Sequence, residues 1–310
     1  MHIPVLAGPA LEWLCVREDG IYVDCTAGGG GHSLLIAQQL RGGRLLALDR
    51  DPVAVRLASE RLGAFPSAKL VNARYAELAA VLARERIEGV DGVLIDAGVS
   101  SMQLDDPARG FSFQSEGPLD MRMDTTQSTT AASFLATTRE EDIERVLRDY
   151  GDVRRARSIA RAICAARAAK PLETTADLIA AIRKAFPHVD RVPEETRTVF
   201  QAIRIAVNNE LGELEVGLRA AAEALRPGGR LVVISFHSGE DAIAKRVLRE
   251  LGTSRDERAP DGRTVGKTRP MLRVLTRKPV VPSTDEVRAN PRAHSARLRA
   301  AEKLDGAKAA

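Results

Sequence analysis

The run Asp24-Cys25-Thr26-Ala27-Gly28-Gly29-Gly30-Gly31-His32-Ser33 places an acid and four consecutive glycines between a short apolar segment and a helix-like one. A glycine turn at such a junction lets backbone N–H groups come close to a polar ligand. Two kinds of nucleoside cofactor use it. The dinucleotide fingerprint is Gly-x-Gly-x-x-Gly; Gly28 and Gly30 fit its first two positions, but the third falls on Ser33. An S-adenosylmethionine turn favours an acid at the strand end followed by small residues and glycines, and Asp24 to Gly31 fits that better. Asp24 is placed to accept from the turn's N–H groups or from a cofactor ammonium. Asp49 ends the second apolar run, about 20 residues on, where an acid accepts from ribose hydroxyls. Asp51-Pro52 directly behind it is a helix start, so Asp49 also reads as part of that start. Tyr75 follows the third apolar run, where its ring can lie on an adenine or fill the core. Asp96 ends the fourth, at the edge where sheets of this kind do their chemistry. His237, at the end of a later strand, reads equally as a substrate-side group and as a structural loop histidine.

The elements that must position these residues alternate. Ile21–Asp24, Arg44–Asp49, Lys69–Asn72 and Asp91–Asp96 read as buried strands, with helices after each of the first three. Such alternation predicts an α/β fold with a parallel, doubly wound sheet. It stops after Asp96 for about a hundred residues. Asp105 to Thr126 reads as a Gly/Pro-rich loop. Thr138-Arg139-Glu140-Glu141 is a capping-box pattern for a helix ending at Gly151. Val153 to Ala169 is a second helix carrying Arg154, Arg155, Arg157, Arg161 and Arg167 with no acid. Thr175 is placed to cap a third. The sheet pattern resumes at Arg230–Phe236, followed by a helix from Ala242 and a late strand at Leu272–Thr276. The expected domains are therefore 1–104 with 199–310, and an all-helical insert, 105–198. Residues 253–270 and the last fifteen read as loop and tail.

The chain has 310 residues, of which 44% are hydrophobic, an ordinary globular composition. No apolar run nears the ~20 residues that span a bilayer. The N-terminus lacks a signal-peptide layout. Cys15, Cys25 and Cys164 are too scattered for a disulfide framework, which points to a reducing, cytoplasmic setting. The five histidines show no zinc-ligand spacing, so no metal is expected. From Ala242 onward there are 17 Lys and Arg against 8 Asp and Glu, while the preceding residues carry 29 against 34. A basic final quarter on an acidic body suits a polyanionic partner or a solvated tail.

Several motifs, in order and spacing, resemble the MraW family of ribosomal RNA methyltransferases. They are Gly28–Ser33, Asp49–Pro52, Asp96–Ser101 with Gln103-Leu104-Asp105, Arg109–Phe113 and Gly117–Met123. Phe200–Ile205, Ser235–Ser238 and Asn290–Ala293 complete the set, so the match runs from residue 2 to about 300. The resemblance implies a class I, Rossmann-like S-adenosylmethionine methyltransferase sheet with an inserted helical, RNA-binding domain. It implies N4-methylation of a decoding-centre cytidine in bacterial 16S rRNA, in the small ribosomal subunit, by direct methyl transfer. Carried over by position, the cofactor contacts fall on Gly30, Gly31, His32, Asp49, Tyr75, Asp96 and Gln103. Gln103 is selected by the resemblance alone. A homodimer is compatible with it. The sequence departs from the family at Val199, where Thr is usual, at Gly239, which replaces an apolar residue, and at His294, which replaces an Arg. Base-amine methyltransferases often carry Asn/Asp-Pro-Pro-aromatic where Asp96 stands; this chain keeps only the acid. The catalytic proton acceptor is left open, with Asp96 first and His237 second. Two rivals stand beside this reading: a nicotinamide oxidoreductase, which wants a third glycine at Ser33, and a noncatalytic RNA-binding assembly factor.

Overall fold

The apolar runs become strands because their side chains alternate between two buried faces. In the computed structural model, which describes residues 4–189, 191–254, 256–258 and 263–306, they form one seven-stranded sheet. β1 (Ile21–Asp24), β2 (Arg44–Asp49), β3 (Ala68–Asn72), β4 (Val90–Asp96) and β5 (Leu225–Ser235) are parallel, in the order β3-β2-β1-β4-β5. Val23, Leu46, Leu48, Val93, Ile95, Leu231 and Val233 enter one apolar cluster, and Tyr22, Leu45, Ala47, Leu94, Val232 and Ile234 the other. That period of two, buried on both sides, explains why the strands read as continuous apolar runs. Each large aliphatic side chain so buried contributes roughly 1.5–3 kcal/mol. The order reverses between β1 and β4, which is where ligands bind in open sheets of this type.

The helices in this unit are α1 (Ala7–Leu14), α2 (Gly31–Ala37), α3 (Pro52–Leu62) and α4 (Leu78–Arg84). The chain then leaves the sheet for α5 (Ser101–Asp105), α6 (Ala131–Thr137), α7 (Glu140–Gly151), α8 (Ala156–Ala169), α9 (Thr175–Lys184) and α10 (Glu195–Asn208). It returns through α11 (Glu210–Ala224), after a left-handed break at Asn209 (φ 48°), and continues to α12 (Ser238–Leu251). Two compact units result, residues 1–98 with 211–310 and residues 99–210. The division falls outside 104/105 and 198/199 because Val99 and Leu104, and then Val199, Phe200, Ala202, Ile203 and Val207, pack in the helical unit's own core.

Local details depart from the sequence expectations. α7 has Arg139 at its N-cap with no side-chain bond, and the Thr138 hydroxyl instead donates to Phe134 O at 2.6 Å, closing α6. The cap of α9 is Thr174, not Thr175, in a reciprocal box with Asp177. Residues 253–270 include a small antiparallel ladder, β6 (Asp256–Arg258) with β7 (Thr264–Lys267). The largest departure is at the C-terminus. β8 (Leu272–Val274) is followed by α13 (Thr284–Ala289) and by β9 (Arg297–Lys303), which runs antiparallel to both β5 and β8. β9 looks like a charged tail in sequence, yet its charged side chains find partners inside the fold. Arg299 makes a two-point bond to Asp241 (2.7 and 3.0 Å), and Lys303 Nζ donates to Ala222 O at 2.7 Å. Residues 307–310 of the expected tail lie outside the described residues.

Within the helical unit, Asn208 fixes the loop that carries Gly117–Met123. Its Oδ1 accepts from Met123 N–H (2.7 Å), and its Nδ2 donates to Met121 O (2.7 Å) and Arg204 O (2.9 Å). Met121 is buried in the left-handed region (φ 58°), a conformation that a non-glycine residue holds only when its surroundings impose it. Asn208→Ala leaves buried backbone groups unsatisfied and should cost about 2–4 kcal/mol in urea unfolding. A loss below about 1 kcal/mol would show that the loop closes without it.

Candidate functional site

The glycine turn is tied to its neighbours by backbone and side-chain bonds. Cys25 N–H donates to Leu94 O (2.8 Å) and Ala27 N–H to Leu48 O (2.7 Å), so the chain stays paired as it leaves β1. Gly28 (φ 51°) donates its N–H to Asp49 Oδ2 at 2.7 Å, and Asp51 N–H donates to Asp49 Oδ1 at 2.8 Å. Asp49 therefore clamps the turn to the start of α3, while Asp51 is the true N-cap, accepting from Val53 N–H. Gly30 has φ 77°, and a Cβ there would sit 3.3 Å from Arg61 Cδ and 3.4 Å from Ala58 Cα. Arg61 in turn donates to Gly29 O at 2.8 Å. A Cβ on Gly31 would lie 3.2 Å from Pro4 Cβ. These glycines answer to packing as well as to any ligand.

Three acids stand at the carboxyl ends of β1, β2 and β4. Asp24 is wholly buried. Its Oδ2 accepts from Ser33 Oγ at 2.6 Å and its Oδ1 from Thr26 N–H at 3.1 Å. Burial raises its proton affinity, and His32, Ser33 and Thr26 pull the other way. Burial likewise pushes Asp49 up to about 6, against the Asp51 and Gly28 N–H bonds. Asp96 is raised well above its ordinary value, by burial first and then by the nearby carboxyls of Asp24 and Glu240. Asp96 N–H donates to Thr26 Oγ1 at 2.7 Å, which couples the turn to β4. Asp96 Oδ1 is buried and has no hydrogen-bond partner among the described residues. A buried acceptor left unsatisfied is costly, so a donor from a bound group fits there.

His32 joins the acids. Its Nε2 is 3.0 Å from Val5 O and its Nδ1 3.5 Å from Asp96 Oδ2. The Val5 segment is held at its other end by Glu286, whose Oε1 accepts from Leu6 N–H at 2.6 Å. Gly30, Gly31, His32, Asp49 and Asp96 thus converge around the turn. Tyr75 is buried at the end of β3 and packs in the core against Gly217, where a Cβ would come within 2.6 Å of its ring. Gln103 belongs to the helical unit, where its Oε1 accepts from Ser100 N–H at 3.0 Å in a capping box. His237 is the N-cap of α12. Its Nδ1 accepts from Glu240 N–H at 3.4 Å, while Glu240 Oε2 accepts from Phe236 N–H at 2.8 Å, so the ring serves a helix start. Sequence reasoning gave no role to Thr26, Arg61 or Glu240. Glu240 was legible in principle, three residues after His237 as in a capping box.

A parallel sheet that reverses at a glycine turn, with acids ending three adjacent strands, is a nucleoside-cofactor site of the class I methyltransferase type. The sequence profile of the MraW methylase family matches residues 1–304, and the chain belongs to that family. It is a methyltransferase, and its cofactor is S-adenosylmethionine. Ribosomal RNA small subunit methyltransferase H of Heliobacterium modesticaldum is 47% identical, over 98% of both chains. The protein of that name from Methylococcus capsulatus is 51% identical, over 94% of this chain and 97% of its own. A solved rRNA methylase from Streptococcus thermophilus is 13% identical with a TM-score of 0.41, over 98% of this chain and 100% of that one. Among the described residues no group of three or more His, Cys, Asp or Glu has a metal-holding arrangement, and no helix is long and apolar enough to cross a membrane.

Ser33 fills the place of the third dinucleotide glycine and uses its hydroxyl to hold Asp24. Ser33→Ala should lower stability by about 1.5–3 kcal/mol, the usual worth of a hydrogen bond to a charged group, measured by urea denaturation. A change under about 0.5 kcal/mol would remove Ser33 as the anchor of the buried acid.

Proposed function

We propose that this chain methylates the exocyclic N4 of a cytidine in the decoding centre of 16S rRNA, within the small ribosomal subunit. The observation that carries the reading is the trio of acids around the turn, with one buried oxygen of Asp96 still needing a donor. The names of the close relatives support the rRNA substrate. When bound, S-adenosylmethionine supplies an electrophilic methyl on a sulfonium centre. Asp49 accepts from the ribose hydroxyls while keeping Gly28 and Asp51 in place. Gly30 and Gly31 give the cofactor close access to backbone, Tyr75 covers the adenine and Gln103 adds a further contact. Asp96 accepts an N–H of the substrate amine. That nitrogen is a weak nucleophile because its lone pair is delocalised into the ring, so positioning supplies much of the rate and an acceptor adds to it. The target base must be unpaired or turned out of its stack. The helical unit takes RNA through phosphate contacts, which position without reading sequence. Arg154, Arg157 and Arg161 form an exposed stripe on and beside α8 for that purpose.

The test is transfer of labelled methyl from S-adenosylmethionine to small-subunit rRNA, with nuclease digestion and chromatography of the nucleosides. Label is expected in N4-methylcytidine; label confined to another nucleoside or to protein would overturn the substrate assignment.

Asp49 gives the site a pH dependence. Ribose hydroxyls donate to the ionised carboxylate, so binding favours ionisation and protonation competes with it. Affinity for S-adenosylhomocysteine, the thioether product that carries the same ribose, should be level at neutral pH and fall as pH drops through about 6, approaching tenfold per unit below that. Asp49→Asn should bind weakly with no such step. Calorimetry across pH checks both, and an unaltered affinity in Asp49→Asn would remove the ribose role.

A further inference from the structure

We propose that His32 and Asp96 form a one-proton pair, which gives up its proton on binding the cationic cofactor and takes one back from the substrate amine. This rests on the reading that Asp96 faces the cofactor.

Val5 sets the tautomer of His32. A backbone carbonyl can only accept, so the 3.0 Å contact from His32 Nε2 to Val5 O fixes the ring proton on Nε2. His32 Nδ1 then faces Asp96 Oδ2 at 3.5 Å. A bare imidazole lone pair and a carboxylate oxygen at that separation repel unless a proton lies between them. The proton sits on Asp96, with neutral imidazole beside it, or on Nδ1, with carboxylate beside it; either way the pair holds one and is neutral overall.

The surroundings favour that loaded state in the free protein. Asp24 on β1 and Glu240 on α12 both add negative charge at Asp96, and His32 on α2 is the basic group facing it. Thr26 contributes a neutral hydroxyl that accepts from the Asp96 backbone. Asp96 Oδ1, buried without a partner among the described residues, makes bare carboxylate costlier still. A sulfonium cation beside Asp96 reverses this balance, because it supplies the countercharge the pair otherwise draws from its proton.

The pair is then empty when the amine reacts, and the step balances. The sulfur–methyl bond breaks with its electron pair staying on sulfur, and the bond from N4 to methyl forms from the nitrogen lone pair. One N4–H bond breaks with its electrons returning to nitrogen, and the proton passes to Asp96 and is shared with His32. Before the step the site holds a sulfonium and an emptied, singly negative pair; afterwards it holds a neutral thioether and a neutral pair. No further oxidant, reductant or base is needed. Asp96 is the catalytic residue of the two, and His32 is a positioning residue that acts through it.

The experiment is calorimetry at neutral pH in buffers of different ionisation enthalpy, with S-adenosylmethionine and, separately, its neutral thioether product S-adenosylhomocysteine. Asp49 meets the same ribose in both ligands, so its contribution cancels. The methylated cofactor is expected to release more protons than the product, by up to one per site. That difference should vanish in Asp96→Asn and shrink in His32→Gln. Equal release by the two ligands in the unaltered protein, or a difference that survives Asp96→Asn, would overturn the pair. Failure of both ligands to bind would overturn the cofactor reading and this inference with it. Should Asp96→Asn not fold, ring nitrogen-15 shifts of His32 in the unaltered protein, assigned from the resonances lost in His32→Gln, decide instead. Nε2 should be protonated throughout, and Nδ1 should move toward the bare-nitrogen position with S-adenosylmethionine but not with the product. A bare Nε2, or the same Nδ1 shift with both ligands, would sink the proposal.

Discussion

Asp24 has no exposed surface, and the bonds it accepts from Ser33 and Thr26 offset the cost of placing a carboxyl under a glycine turn. Those two donors decide the geometry around it. Ser33 lies on α2, so its bond to Asp24 sets where that helix begins relative to β1. Thr26 uses its backbone on Asp24 and its hydroxyl on the Asp96 N–H, so the ends of β1 and β4 are joined across the point where strand order reverses. Asp49 repeats the device from β2 through Gly28. The three strand ends are thus held together, and Asp24 and Asp49 are themselves the clips that shape the glycine turn.

Much of this was legible in the sequence, for a physical reason. Strands buried on both faces must be apolar throughout, and acids closing such runs are visible against them. Gly28 to Ser33, Asp49 and Asp96 could therefore be placed on a parallel sheet before any coordinates. What was not legible depended on long-range pairing. β9 carries two arginines, a glutamate and a lysine among its seven residues, and reads as solvated until Asp241 and Ala222 O are brought to it from elsewhere in the chain. The caps of α7 and α9 each fall one residue from the expected threonine, because Thr138 turns its hydroxyl back to Phe134 O, leaving Arg139 at the α7 start with no side-chain bond, and because Thr174 does the work expected of its neighbour Thr175. His237 is the reverse case. Its type suggested chemistry, and only the position of Glu240 shows that the ring serves a helix terminus. Gln103 and Tyr75 entered through family likeness, since a glutamine and a tyrosine near strand ends have no distinctive physics of their own.

Charge is distributed differently from what a count along the chain implies. The basic final quarter loses much of its reach once folded: Arg297 and Arg299 meet Asp241, Arg273 meets Glu302, and Arg246 meets Glu215. The arginines of α8 are also unequal. Arg167 donates to Leu135 O and Thr138 O and so serves its own unit, and Arg155 lies 4.8 Å over the ring of Phe186. Arg154, Arg157 and Arg161 keep their charge at the surface. A count of charge along the chain therefore does not mark where positive charge stands exposed on the fold.

The segment from Pro4 to Leu6 touches the turn through Pro4 beside Gly31 and through Val5 O on His32, and its far end is held by Glu286 of α13. The segment thereby links α13, 280 residues away in the chain, to the glycine turn. A substitution within residues 4–6 therefore acts on His32 and on the glycine turn as directly as a change in α2 does. Engineering that short segment is engineering of the turn itself.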